Sequence, residues 1–338
     1  MRLWRQDMSI KIDLTEYWLL SYSMPGDQHP VPVTLPSDKK EKRESLMNFF
    51  QKLLSRRPSG EQEKHAPELD KSQSALLDSL PPGLTVAKAS DIGQVRGRNE
   101  DAFLVIDATF QSDGGLTPLG LYIIADGMGG HQKGEVASST AVRVTACHIL
   151  QDVFVPFLSE QGQDSQRRPI NEALIEAAEA ANLAVHTQVP EAGTTLTAAL
   201  IFGYRVYLAH VGDSRAYLFS QGKLQQITQD HSLVARLVEL GQATPEEALT
   251  HAHRNVLYRA IGQAGSLEVD TYNQPFPEGS CLLLCSDGLW GIVSDQEITD
   301  ILATASSLQD ALERLIATAN QNGGSDNITA ILIAMGKS

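Results

Sequence analysis

Cysteine is scarce in this chain, with three among 338 residues. A disulfide-stapled fold or a zinc ribbon needs more thiols at paired, short spacings, so both are excluded. Cys281 and Cys285 lie in CLLLCSD, where a strand places both on one face as small buried hydrophobes. Such thiols fit the cytoplasm, which is the expected location. Also missing is any uninterrupted apolar run near the ~20 residues that a membrane span requires, and no transmembrane segment is expected. The opening MRLWRQDMSIKID has no apolar core after its basic start, which argues against a signal peptide. A basic stripe is lacking too. The formal charge is −14, and residues 86–338 hold 15 basic against 29 acidic side chains. Such a body repels phosphate backbones, so nucleic acid is not expected as a partner.

What remains is the composition of a globular protein, 42% hydrophobic and 20% charged. Its texture changes along the chain. Residues 1–84 read as an N-terminal extension, largely a Pro-, Ser-, Lys- and Glu-rich linker. Within it, Leu46, Phe49, Phe50, Leu53 and Leu54 follow helical spacing and predict an amphipathic helix near 45–57. Its basic end would allow a membrane-surface role, but docking on protein is the commoner fate of such a helix. Residues 85–336 read as one folded domain. Strand-like runs include DAFLVID, LGLYIIAD, TTLTAALIF, RVYLAHVGD, SRAYLFS, CLLLCSD and ITAILIAM. Helical runs are expected over about 133–150, 171–188, 231–241, 245–250, 253–261, 294–304 and 308–322. Consecutive strands with short turns favour antiparallel sheets over parallel crossovers.

The chemistry sits at strand ends. Asp126 closes an apolar strand, and a lone carboxylate there is costly unless a cation compensates it. Asp287 follows a second apolar strand and Asp326 precedes a third. Asp213 occupies a tight turn between two strands, and Glu100 and Asp101 begin another. A lone Asp-Gly is most often a turn, but the recurrence within one domain points to hard cations. Oxygen ligands without histidine pairs or thiolates suit Mg²⁺ or Mn²⁺ rather than zinc. Gly127, Gly129 and Gly130 let the backbone turn sharply enough to bring a carbonyl near an ion. Arg96 offers a planar fork for phosphoryl oxygens, and His131 is placed to protonate a leaving group.

Together RGRNEDAF, ADGMGGH, GTTLTAAL, HVGDSRAYL, LLLCSDGLW and GGSDNITAI, in this order over residues 86–335, resemble the metal-dependent protein phosphatase family, the type 2C class of serine/threonine phosphatases. The segment DHSLVARLVELGQATPEEALTHAHRNVLYRAIG is similar to the flap of its bacterial branch. The resemblance implies an α+β fold, a four-layer αββα sandwich of two antiparallel sheets flanked by helix pairs, with a flap subdomain. It implies Asp126 as the carboxylate bridging two metals, the Gly127 carbonyl as a ligand of one, and Asp287 and Asp326 as ligands of the other. Asp101 and Glu100 match positions that hold a metal or its waters, Asp213 matches a residue of a third site, Arg96 matches the phosphate-binding arginine, and His131 matches the general acid. The chain departs from the family at Gly291, where many members carry an acid, so a third ion is expected to bind weakly if at all.

The implied reaction is hydrolysis of phosphoserine and phosphothreonine by a water activated between two Mn²⁺ or Mg²⁺ ions. Phosphoproteins are the expected substrates, with a serine/threonine kinase as counterpart and a monomer as the working form. Two rival readings stand beside it. One is a catalytically weak regulatory module of the same fold, against which the filled ligand positions argue. The other is a phosphomonoesterase of small metabolites.

Overall fold

The structure, a computed structural model, describes residues 75–78, 80–112, 115–129, 133–159, 168–244, 247 and 251–337. The helix expected near 45–57 and His131 lie outside these residues.

Two antiparallel sheets form the centre. The first orders its strands as β1 (Gly83–Asp91), β11 (Ile328–Gly336), β10 (Ser280–Cys285), β7 (Arg215–Ser220) and β8 (Lys223–Gln226). The second runs β2 (Asp101–Ser112), β3 (Gly115–Met128), β5 (Leu196–Phe202), β6 (Arg205–Val211) and β9 (Asp270–Pro275), with the short β4 (Gly193–Thr194) against the end of β3. Successive side chains on a strand point to opposite faces, and in the central strands β5, β10 and β11 both faces are buried. On β10, Leu282 and Leu284 meet Tyr122, Ile124 and Leu208 of the other sheet, while Cys281, Leu283 and Cys285 face a helix layer. Strands buried on both sides read as continuous apolar runs, as SCLLLC and ITAILIAM do. Leu283 is fully buried, so its truncation to alanine would cost roughly 2–5 kcal/mol.

A helix pair covers each outer face. α1 (Lys133–Ile149) and α2 (Ile170–Gln188) pack on the second sheet through Ala137, Ala141, Leu174, Ala178 and Val185. By length and composition the stretch Lys133–Leu158 could cross a bilayer, but its buried residues belong to this core. After α3 (Leu233–Glu239) in the flap, α4 (Asp295–Thr304) and α5 (Leu308–Gln321) cover the first sheet through Ile298, Leu302, Leu312 and Leu315. Ser294 and Glu297 close a reciprocal capping box that starts α4. The expected four layers are present.

Two local expectations need correction. Instead of the helix predicted over 253–261, the flap returns through turns pinned by backbone bridges, Ser232 with Leu257 and Thr194 with Ile261. The paired bonds of Ile261 to Thr194, 2.8 and 3.0 Å, override the local helical pattern. The packed body also begins before residue 85. Leu76 and Leu77, placed in the extension, are buried in the core beneath α4, and β1 begins at Gly83. Of the helix expected over 245–250, only Glu247 lies among the described residues, in a reciprocal cap with Thr244.

Candidate active site

The acidic strand ends meet at one edge of the sandwich. Asp126 is on the same face of β3 as Tyr122 and Ile124, so it points into the gap between the sheets. Asp101 stands opposite it on β2. Its backbone is held firmly. The Asp126 N–H donates to Thr195 Oγ1 (2.9 Å), while its carbonyl accepts from the Thr194 hydroxyl (2.8 Å) and the Thr195 N–H (2.9 Å). Thr195 Oγ1 also contacts Ser214 Oγ at 2.8 Å, tying Asp126 to the Asp213 turn.

From the first sheet come Asp287, which opens a one-turn helix (Asp287–Trp290) after β10, and Asp326, just before β11. Asp326 accepts from Arg96 Nη2 at 2.6 Å and from the Asn327 N–H at 2.9 Å. Asn327 holds the loop that carries Arg96. Its side-chain amide donates to the carbonyls of Ile92 and Arg98 and accepts from the Glu100 N–H. The loop then passes so close that a Cβ on Gly93, whose φ is +78°, would lie 2.2 Å from the Asp326 carbonyl oxygen. Asp213 is buried on the third side, and its carbonyl accepts from Trp290 Nε1 at 2.9 Å. Arg215 stacks 3.5 Å from the Trp290 ring and forks onto both oxygens of Asp230.

The electrostatics are those of crowded acids. Burial, followed by the charges of Asp101, Asp287 and Asp213, pushes the Asp126 carboxyl well above its ordinary value. Burial likewise raises Asp101 to about 7 and Asp287 to about 6, and raises Asp213 strongly. The Asp126 and Asp287 carboxyls stand close enough to perturb one another, and like charges so placed disfavour full ionisation when no cation is present. Arg96 is raised by its hydrogen bond to Asp326.

The donor set fits a divalent cation. Asp101 Oδ1 and Asp287 Oδ1 are buried without a hydrogen-bond partner, an arrangement that costs free energy unless something else binds there. A Cβ on Gly134 would lie 3.0 Å from both the Gly127 carbonyl oxygen and Glu100 Oε1, so these two oxygens border a space that only glycine keeps open. Among the described residues no group of three acidic, histidine or cysteine side chains closes tightly enough to hold an ion alone. Coordination here would need the backbone carbonyl and water as well, which is usual for hard cations.

Thus Arg96, Glu100, Asp101, Asp126, Gly127, Asp213, Asp287 and Asp326 come together around one cleft of about 1230 Å³ and its inner edge. Sequence reasoning missed the residues that hold them. Thr194 and Thr195 lie in GTTLTAAL and Asn327 in GGSDN, polar side chains amid apolar runs that had no assigned partner.

The protein phosphatase 2C family model matches residues 96–333. The chain belongs to the protein phosphatase 2C family. A serine/threonine phosphatase from Listeria welshimeri is 37% identical over 251 residues, 72% of this chain and 93% of the relative. The solved Mycobacterium tuberculosis serine/threonine phosphatase PstP/Ppp superposes with a TM-score of 0.62 at 36% identity, covering 75% of this chain and 99% of its own. The PstP catalytic domain solved with two manganese ions gives 0.60 at 34% identity, with 75% and 99% covered. The two sheets and flanking helices of this phosphatase match those structures. It is a protein phosphatase, and its reaction depends on divalent metal.

Proposed function

We propose that the enzyme hydrolyses phosphoserine and phosphothreonine in proteins with two Mn²⁺ or Mg²⁺ ions, held by Asp126, the Gly127 carbonyl, Glu100, Asp101, Asp287 and Asp326. Asp213 serves a weaker third ion. The observation that carries this reading is the convergence of buried carboxyls and orphaned acid oxygens on a cleft where the Arg96 guanidinium is bonded to Asp326. When bound, the ions supply hydroxide near neutral pH and offset phosphoryl charge. Arg96 turns its fork from Asp326 onto two phosphoryl oxygens, a geometry lysine cannot match. Asp126, backed by Thr194 and Thr195, keeps its place as charge arrives, so no reorganisation is spent during reaction. His131 gives a proton to the departing serine or threonine oxygen.

A protein substrate is favoured over a metabolite by the cleft itself. Its volume of about 1230 Å³ exceeds that of a usual small-ligand pocket, and it opens between the flap and the start of α4. The described site residues all come from one chain, which supports a monomer as the active form. Its counterpart is a serine/threonine kinase, and its free cysteines suit the cytoplasm. Phosphate release from a phosphothreonine peptide, measured with Mn²⁺, Mg²⁺ or EDTA and beside a panel of phosphorylated metabolites, tests the reading. Metal-dependent release from the peptide in preference to the metabolites is expected. Turnover undiminished by EDTA, or confined to metabolites, would overturn it.

A further inference from the structure

Both backbone hydrogen-bonding groups of Gly212 end on one residue. Its N–H donates to His231 Nδ1 at 3.1 Å, and its carbonyl accepts from the His231 N–H at 2.7 Å. Gly212 has φ +112°, and a Cβ there would lie 2.6 Å from the Thr195 side chain, so the turn has one way to fit. The next residue is Asp213. His231 is 1% exposed, too enclosed to serve substrate or solvent.

The other side of the ring points to the flap. Because Nδ1 accepts, Nε2 carries the proton and faces Asp270 Oδ2 at 3.2 Å. Asp270 Oδ1 in turn accepts from Arg259 Nη1 at 2.9 Å, and Arg259 also pairs with Glu268. The His231 carbonyl accepts from the Tyr258 N–H at 2.9 Å, and Leu233 N–H donates to the Val256 carbonyl at 2.8 Å. These bonds join the outgoing and returning arms of the flap at its base. His210, fully buried and held neutral by burial, packs its ring 4.9 Å from that of His231.

We propose that His231 is a positioning residue that holds the Gly212–Asp213 turn so that the Asp213 carboxylate can serve a divalent ion, and that it ties this orientation to the base of the flap. The proposal rests on the reading of Asp213 as an ion ligand. A partner behind a ligand typically changes metal affinity, because it fixes the direction of the donor oxygen. Here the fixing runs through backbone: Asp270 orients the imidazole, the imidazole orients Gly212, and Asp213 follows.

Calorimetric titration of the metal-stripped full chain with Mn²⁺ reads binding without turnover. His231→Leu is expected to weaken the weakest Mn²⁺ step by about tenfold, the lower end of what such partners contribute. The Mn²⁺ needed for half-maximal hydrolysis of a phosphothreonine peptide should rise in parallel, with the rate at saturating Mn²⁺ close to parental. His231→Asn, whose amide oxygen can still accept from Gly212, should recover most of the loss. In an Asp213→Ala background, His231→Leu should add nothing. A folded His231→Leu protein that titrates like the parent, or a shift of full size persisting without Asp213, overturns the proposal. Should His231→Leu fail to fold, Asp270→Ala decides: weakened Mn²⁺ binding supports the chain of contacts, and parental binding breaks it. Parental binding by Asp213→Ala alone would remove Asp213 from the ion site and overturn the assignment beneath the proposal.

Discussion

Asp101 and Asp126 face each other across the β2–β3 pair, in register, as two carboxyls on one face of a sheet. Like charges directly opposite are destabilising, and here Asp287 adds a third acid to the same space. The fold tolerates this only by holding protons or cations.

The stability of the metal-free protein should therefore fall as pH rises. Asp287 at about 6 and Asp101 at about 7 lie above the ordinary 3.8, so the folded chain binds protons that the unfolded chain has released. Stability is full below the unfolded value and is lost as pH climbs through the folded ones, at up to about 1.4 kcal/mol per pH unit for each group. Melting in EDTA between about pH 5 and about pH 8 should show the decline, and saturating Mn²⁺ should reverse it. A melting temperature that rises over this window without metal would rule the account out.

Asp126→Asn separates catalysis from stability. It removes the charge at the centre of the cluster, so turnover should drop by more than tenfold, a loss above about 1.4 kcal/mol of barrier lowering. In EDTA near neutral pH the same variant should melt higher than the parent, because one buried acid no longer repels its neighbours. Activity within tenfold of parental would take Asp126 out of the metal centre.

Gly291 has helical φ of −71°, so a side chain is not barred by backbone conformation, but its Cβ would lie 2.6 Å from the Asp287 carbonyl oxygen. Gly291→Ala should raise the Mn²⁺ concentration needed for activity, since Asp287 must shift. Gly291→Asp should need less Mn²⁺ than Gly291→Ala, because affinity for hard cations follows ligand charge. Identical activation curves for the two would mean that an acid at this corner reaches no ion.

Val238 and Ile292 line the cleft beyond the acids, from the flap and from the turn after Trp290. Val238→Asp should raise KM for a phosphothreonine peptide carrying apolar neighbours, by an amount equivalent to roughly 1–2 kcal/mol of lost apolar contact. Hydrolysis of p-nitrophenyl phosphate, which does not extend that far, should stay parental. Equal losses on both substrates would deny this wall a part in peptide binding.

The architecture was legible because its central strands are buried on both faces and announce themselves as apolar runs, two of them ended by acids at Asp126 and Asp287. The acids could be gathered from sequence because an isolated charge at such a place demands a partner. Their supports could not. Thr195, Asn327 and His231 act through side-chain hydrogen bonds to backbone groups distant in sequence, and neither periodicity nor spacing records those bonds. The 253–261 stretch reads as helix locally, yet pairing with Thr194 decides its conformation. Leu76 and Leu77 were hidden by their polar surroundings, which resemble linker until their burial beneath α4 is seen.

The alternation along β10 has one more consequence. Cys281 and Cys285 lie beneath the α4–α5 layer, sealed from solvent and with burial pushing the Cys281 thiol up to about 12, whereas Cys147 is exposed. An alkylating reagent acts on the thiolate, so Cys147 is marked at once and the other two only when that helix layer lifts away. The folded enzyme thus contains two chemical timers in its interior, and their labelling rate, set against loss of activity, tells whether the outer layer can open while the metal cleft stays closed.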